Sequence, residues 1–322
     1  GTNESQQVEL DLRDGIQLRV GQQTYTLAAS AAQRPLVIDV GGGDDAINII
    51  GSERAERLSL YADTEITSSI VSNSFQIHLR GFESVTFNGG GGHDRASLFD
   101  SDSADTLRSH PGSATLTGIG FQFDVTNVPR IYVHGTAGGN DTAFLHDSEG
   151  DDALAVRPQF TSLRSEDAFQ LAYGFERVYA YATAGGFDTA NLYDSEGDDT
   201  MTVSTGRSII TGPGFHVNAS GFESTEGHAI AGGYDLARIY SDETNSRWHS
   251  TGDMTQWTGE NNAVRIARGF ERTQAFEHYQ PIGLIPQAVA SPLSPWFIDD
   301  PQERASRSAD AARTVFEALG SE

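Results

Sequence analysis

A sixteen-residue segment occurs twice in this chain, 47 residues apart, and that spacing constrains the fold more than any other feature. From Gly185 to Thr200 it reads Gly-Gly-Phe-Asp-Thr-Ala-Asn-Leu-Tyr-Asp-Ser-Glu-Gly-Asp-Asp-Thr. From Gly138 to Ala153 the same frame reads Gly-Gly-Asn-Asp-Thr-Ala-Phe-Leu-His-Asp-Ser-Glu-Gly-Asp-Asp-Ala. Looser copies begin at Gly42, Gly91 and Gly232. The fourth residue of each copy is therefore Asp45, Asp94, Asp141, Asp188 and Asp235, at spacings of 49, 47, 47 and 47. A fixed period of this size marks a stacked or radial repeat architecture. A second marker, Gly-Phe-Glu, begins at Gly81, Gly174, Gly221 and Gly269, and Asn127-Val128-Pro129 holds its frame once. The next Gly-Gly-x-Asp would fall near residue 282. Pro281-Ile282-Gly283 stands there instead, so the array is expected to end.

Within a unit the pattern is that of short strands. In the copy from Gly174 they are expected at Arg177–Ala182, Thr189–Tyr193, Thr200–Ser204, Ser208–Thr211 and Phe215–Asn218, separated by Gly, Asp, Ser or Pro. Ile47, Ala96, Ala143, Ala190 and Ala237 share one apolar column, and Ile49, Leu98, Leu145, Leu192 and Ile239 share another. Leu107, Leu154 and Met201, then Val156 and Val203, extend the pattern. The residues between them (Asn48, Ser97, Phe144, Asn191, Arg238) vary as an outward face does.

The fold class expected is all-β, a parallel β-solenoid (β-helix) of five repeats of about 47 residues. Same-column side chains would stack along its axis at about 4.8 Å per coil. The alternative is a five-bladed β-propeller. Small inward residues and turns about every 11 residues favour the solenoid. Residues 1–36 would form an N-terminal β cap and 37–280 the repeat domain, with units near 37–80, 81–127, 128–173, 174–220 and 221–280. Residues 281–322 read as a Pro-rich linker and a short C-terminal helix, Arg304–Leu319, that folds back as a cap or docks a partner.

The Asp columns carry the chemical signal. The first is Asp45, Asp94, Asp141, Asp188 and Asp235. The second is Asp100, Asp147 and Asp194, with Asp242 one place out of register. The third is Asp105, Asp152 and Asp199, with Asp151 and Asp198 beside it. Stacked repeats would align like charges, which destabilises unless a cation neutralises them. Calcium takes six to eight oxygen ligands and suits carboxylates with turn carbonyls. Without metal, the same Asp and Ser side chains would cap turns by accepting backbone N–H bonds.

The net charge of −24 agrees with an affinity for cations, and every one of the 21 basic residues is arginine. Such a surface repels nucleic acid and anionic membranes. Cysteine is absent, which excludes disulfides and thiolate metal sites. No apolar stretch reaches the length of a membrane span.

Gly-Gly-x-Asp turns followed by short x-apolar-x strands resemble the haemolysin-type calcium-binding repeats, the RTX nonapeptides. The matches are Gly42-Gly43-Asp44-Asp45, Gly91-Gly92-His93-Asp94, Gly138-Gly139-Asn140-Asp141, Gly185-Gly186-Phe187-Asp188 and Gly232-Gly233-Tyr234-Asp235. The resemblance implies a parallel β-roll with calcium between adjacent coils, and it makes the five Asp candidate ligands. The turn here lacks the Gly-x pair that precedes the family's Asp.

No nucleophile elbow, His-Glu-x-x-His or Walker loop is present, and the histidines lack ligand spacing. The least regular stretches are Ser101–Asn127 and Ser241–Asn262. The second holds Arg247, Trp248 and Trp257, the candidate ligand-binding residues if the chain meets a sugar. The function expected is that of a secreted or cell-surface structural or adhesive repeat protein, stabilised by calcium. Self-association into fibres or layers and a surface glycan are the expected partners. The alternative is a β-helix polysaccharide lyase or glycoside hydrolase, which needs paired carboxylates.

Overall fold

The computed structural model describes residues 4–27, 35–63, 66–241, 246–259, 262–277 and 280–284. Those residues form thirty strands, β1 to β30, in two sheets of 16 and 14 strands. The chain is the expected all-β solenoid. Two sheets that run the length of the array, with no closed ring of blades, replace the propeller alternative. Arg304–Leu319 and Asp242 lie outside the described residues.

The strands are short because polar turn residues interrupt the alternation after two inward side chains. In β15 (Thr142–His146), Ala143 and Leu145 are buried while Thr142, Phe144 and His146 are half-exposed. β20 (Thr189–Tyr193) and β21 (Thr200–Ser204) repeat this pattern. Both begin and end where the sequence places them. Every apolar column read from the sequence faces inward and is buried. Burial of one such leucine contributes roughly 1.5–3 kcal/mol.

The 47-residue unit is a group of five strands. One group is β11 (Thr106–His110), β12 (Ser113–Gly118), β13 (Phe121–Thr126), β14 (Arg130–His134) and β15. Its first three strands form an antiparallel meander in the 16-stranded sheet. β14 crosses to the 14-stranded sheet and β15 returns. In the next group, the meander of β16 (Ala153–Arg157), β17 (Phe160–Arg164) and β18 (Phe169–Tyr173) lies in the 14-stranded sheet. β19 (Arg177–Tyr181) then crosses over and β20 returns. Successive groups therefore exchange sheets. Two groups add five strands to each sheet, so one group advances the rod by about 12 Å at the usual strand spacing.

This exchange corrects the expected stacking. Ala143 does not stack on Ala96 or Ala190, which lie in the other sheet. Its neighbours in the ladder are Leu107 and Val178. Pairs between groups are parallel, and pairs inside a meander are antiparallel. Among the described residues the groups number six rather than five. β1 (Gln7–Asp11), β2 (Ile16–Val20) and β3 (Gln23–Leu27) form the meander of a first group, completed by β4 (Leu36–Asp39) and β5 (Ala46–Ile50). The N-terminal strands β1, β2 and β3 also stand at one end of the 16-stranded sheet.

The Gly-Gly-x-Asp turn precedes the fifth strand of a group, and the sixth group lacks it. There β30 (Gln280–Leu284) pairs antiparallel with β29 (Arg272–Glu277) and ends the 16-stranded sheet.

Gly-Phe-Glu marks a close backbone approach between rungs. Gly174 has φ +85°, and a Cβ there would lie 2.2 Å from the Gly135 carbonyl oxygen. Phe175 behind it is buried. Where Asn127-Val128-Pro129 replaces the marker, Asn127 adopts φ 55° and Val128 fills the core. Asparagine tolerates this left-handed region better than other side chains that carry a Cβ.

Candidate functional site in the carboxylate turns

The acids of the Asp columns meet at the turns, but in combinations that cross the repeat. Asp105, Asp141 and Glu176 stand just before β11, β15 and β19, three consecutive rungs of one sheet. The Asp141 N–H donates to Glu176 Oε2 at 2.7 Å, and the Asp105 N–H donates to Asp141 Oδ1 at 2.8 Å. Asp105 Oδ2 accepts from the Ser101 N–H at 2.7 Å and the Ser101 hydroxyl at 2.9 Å. Each carboxylate thus holds the backbone of the acid one rung away, and the last holds a serine in its own turn.

The spine recurs on alternate sheets. Ser148, Asp152, Asp188 and Glu223 form it at 2.7–2.9 Å. Ser195, Asp199, Asp235 and Glu271 form it at 2.7–2.8 Å. The first spine joins the Gln6 N–H, Asp45 and Glu83. In the second, Ser52 and Glu56 stand where later groups have Ser and Asp. The Glu56 N–H donates to Asp94 Oδ1 at 2.7 Å. Pro129 then occupies the position that Glu176 holds in the next spine.

The Glu of Gly-Phe-Glu, which in the sequence is only a repeat marker, and Glu56 are carboxylates of the spines that the Asp columns do not include. The signal was available as an offset. Glu176 follows Asp141 by 35 positions, and Glu223 follows Asp188 by the same number.

The second Asp column reaches into the next Gly-Gly turn. Asp100, Asp147 and Asp194 accept the N–H of Ala137, Ala184 and Ala231 at 3.0, 2.7 and 2.8 Å. Asp151 and Asp198, beside the third column, accept the N–H of Phe187 and Tyr234. The turn-capping role expected of these side chains is therefore present throughout.

Capping leaves oxygens over. Asp45 Oδ2, Asp94 Oδ2, Asp105 Oδ1, Asp141 Oδ2, Asp152 Oδ1, Asp194 Oδ1 and Asp199 Oδ1 are buried without a hydrogen-bond partner. Burial pushes Asp94 and Asp235 up to about 7 and Asp141 and Asp188 up to about 6, and neighbouring acids add to the rise. Asp100 and Asp194 are raised for the same leading reason.

One oxygen each from Asp100, Asp105 and Asp141 lie within 4.8 Å of one another, the tightest such group among the described residues. Two ionised carboxylates at 4.8 Å repel by about 3 kcal/mol at an effective dielectric of ~20. The donor set is all oxygen and all anionic, which suits a hard divalent cation such as calcium.

The candidate sugar-binding residues lie elsewhere, on β26 (Arg247–Thr251) and β27 (Met254–Thr258). Arg247 is exposed. Trp248 is half-buried and donates from Nε1 to Glu277 Oε1 at 2.9 Å. Trp257 is 0% exposed, with the Arg265 guanidinium 4.0 Å from its ring. Trp257 does not present its ring to a sugar at the surface, because its strand turns that side chain into the core.

No helix among the described residues is long and apolar enough to cross a membrane. The chain matches no protein-family model and no curated protein.

Proposed function

We propose that this chain is a structural or adhesive repeat protein of the cell surface or extracellular matrix, a rod stabilised by calcium in its turns. The observation that supports this most is the recurrence of one turn chemistry from Asp45 to Glu271 along two unbroken sheets. Repetition of this kind makes a length of uniform surface. The outward rows share that character: Tyr61, Phe99 and His134 stack on consecutive rungs with ring centroids 4.3 and 4.5 Å apart.

The acidic surface keeps such a rod soluble and rich in counter-ions. The resemblance to RTX turns supports an extracellular, calcium-rich setting, although the turns here use carboxylate spines in place of the longer glycine turn. Other copies of the chain and surface glycans are the partners this reading carries.

Immunogold labelling of source cells, with negative-stain imaging of the purified chain, tests it. Label on the outer surface or matrix and rod-shaped particles are expected. Label confined to the cell interior would overturn the reading. So would release of reducing ends or unsaturated sugars from a glycan panel, which would favour the lyase or hydrolase alternative.

A further inference from the structure

The carboxylates are not equivalent as metal ligands, although their sequence columns look alike. We infer that the chain has one tight calcium site, built by Asp100, Asp105 and Asp141. It joins one residue of each Asp column and bridges two successive groups of strands. The inference rests on the calcium-stabilised reading above and names the site that reading needs.

Three observations support this place, and the second of them, the spacing, sets it apart from the related triads. The three side chains are at most 4% exposed, and their nearest oxygens lie within 4.8 Å of one another. Oxygens so spaced can converge on one ion at the usual calcium–oxygen distance of about 2.4 Å. Asp105 Oδ1 and Asp141 Oδ2 are buried and unpartnered, so the hydrogen bonds of the turn leave ligand capacity unused.

The related triads Asp147–Asp152–Asp188 and Asp194–Asp199–Asp235 carry the same residue types. Among the described residues, however, only the first brings its oxygens this close. In the second spine the position matching Asp100 is Gly51, so Glu56 and Asp94 have no third carboxylate there. A site at Asp100, Asp105 and Asp141 would lock the Ser101–Asp105 turn to the Thr136–Asp141 turn, which Asp100 already touches through Ala137.

Equilibrium dialysis of the EDTA-treated chain against calcium, with bound metal counted by elemental analysis, tests the inference. Asp100→Asn keeps an acceptor for the Ala137 N–H but removes a charge. It is expected to lose one equivalent of tightly bound calcium while its circular dichroism stays that of the parent. Asp147→Asn is expected to keep the tight equivalent. The unaltered chain supplies an arm that needs no variant: calcium should raise its melting midpoint and EDTA should reverse the rise.

No saturable uptake, an unchanged midpoint, or equal tight uptake in Asp100→Asn and the parent would each overturn the site. Loss of the tight equivalent in Asp147→Asn would also overturn it. These outcomes are separate from the labelling result. A surface rod that takes up no calcium would lose the site and the calcium stabilisation but keep its structural role at the surface, and an interior protein that binds calcium would keep the site and lose that role.

Discussion

Asp141 Oδ1 accepts the backbone N–H of Asp105 at 2.8 Å, although 36 residues separate the two in the chain. Both residues are buried, so the bond joins consecutive rungs where water does not compete. Removing the acceptor leaves the Asp105 N–H unsatisfied, at a cost of about 1–3 kcal/mol. Asp141→Ala is expected to lose that much in chemical denaturation and to speed amide exchange at Asp105. Asp141→Asn, which retains an acceptor, should lose less. Equal losses in the two variants would show that charge, rather than the hydrogen bond, sets the contribution of Asp141.

Glycine at the Gly-Phe-Glu marker is required by contact as well as by conformation. At Gly174 a Cβ would lie 2.2 Å from the Gly135 carbonyl oxygen on the next rung, with φ at +85°. Gly112 has a similar φ of +76°, but a Cβ there meets nothing within 4 Å. Gly112→Ala should therefore cost about 1 kcal/mol, from conformation alone. Gly174→Ala must also push neighbouring backbones away from each other and should cost more than about 2 kcal/mol. Urea midpoints of the two variants check the ordering, and similar values would refute the contact argument.

Asp94 makes the stability depend on pH. Burial, with Glu56 adding to it, pushes this carboxyl up to about 7 from 3.8. Between those values the folded chain holds a proton that the unfolded chain has released, so stability falls as pH rises. The contribution is complete below about pH 4 and is lost as pH rises through about 7. In EDTA the melting midpoint should therefore drop between about pH 5 and pH 8. Asp94→Asn does not titrate and can still accept the Glu56 N–H, so its drop should be shallower. Parallel curves would remove Asp94 as a source of the slope.

The residues that fix local structure speak in the sequence, and those that fix neighbours do so indirectly. Thr189–Tyr193 could be read as a strand because Ala190 and Leu192 alternate with polar positions between Gly-Asp turns. That its neighbours would be β16 and β24 (Ser224–His228) could not be read from the period, because the ladder offset is near 36 residues while the repeat is 47. Alignment groups residues of the same role, whereas pairing groups residues on the same sheet. The two coincide only when every coil is identical. For the same reason the Asp columns were recognisable and their partners were not. Asp141 aligns with Asp94 and Asp188 but works with Asp105 and Glu176.

The edge of the 14-stranded sheet offers a test of self-association. Among the described residues β26 is the last strand of that sheet, and Arg247 and His249 are exposed on it. Charged side chains on an edge strand discourage pairing with a second chain. Trp248 faces the other way and is held by its bond to Glu277 at 2.9 Å, so replacing its neighbours need not disturb the core. Replacing Arg247 and His249 together by valine leaves an apolar, β-prone strand with free backbone groups. The double variant should form larger species at lower concentrations than the parent in sedimentation, with near-parental circular dichroism. If parent and variant sediment alike at every concentration, Arg247 and His249 do not guard this edge.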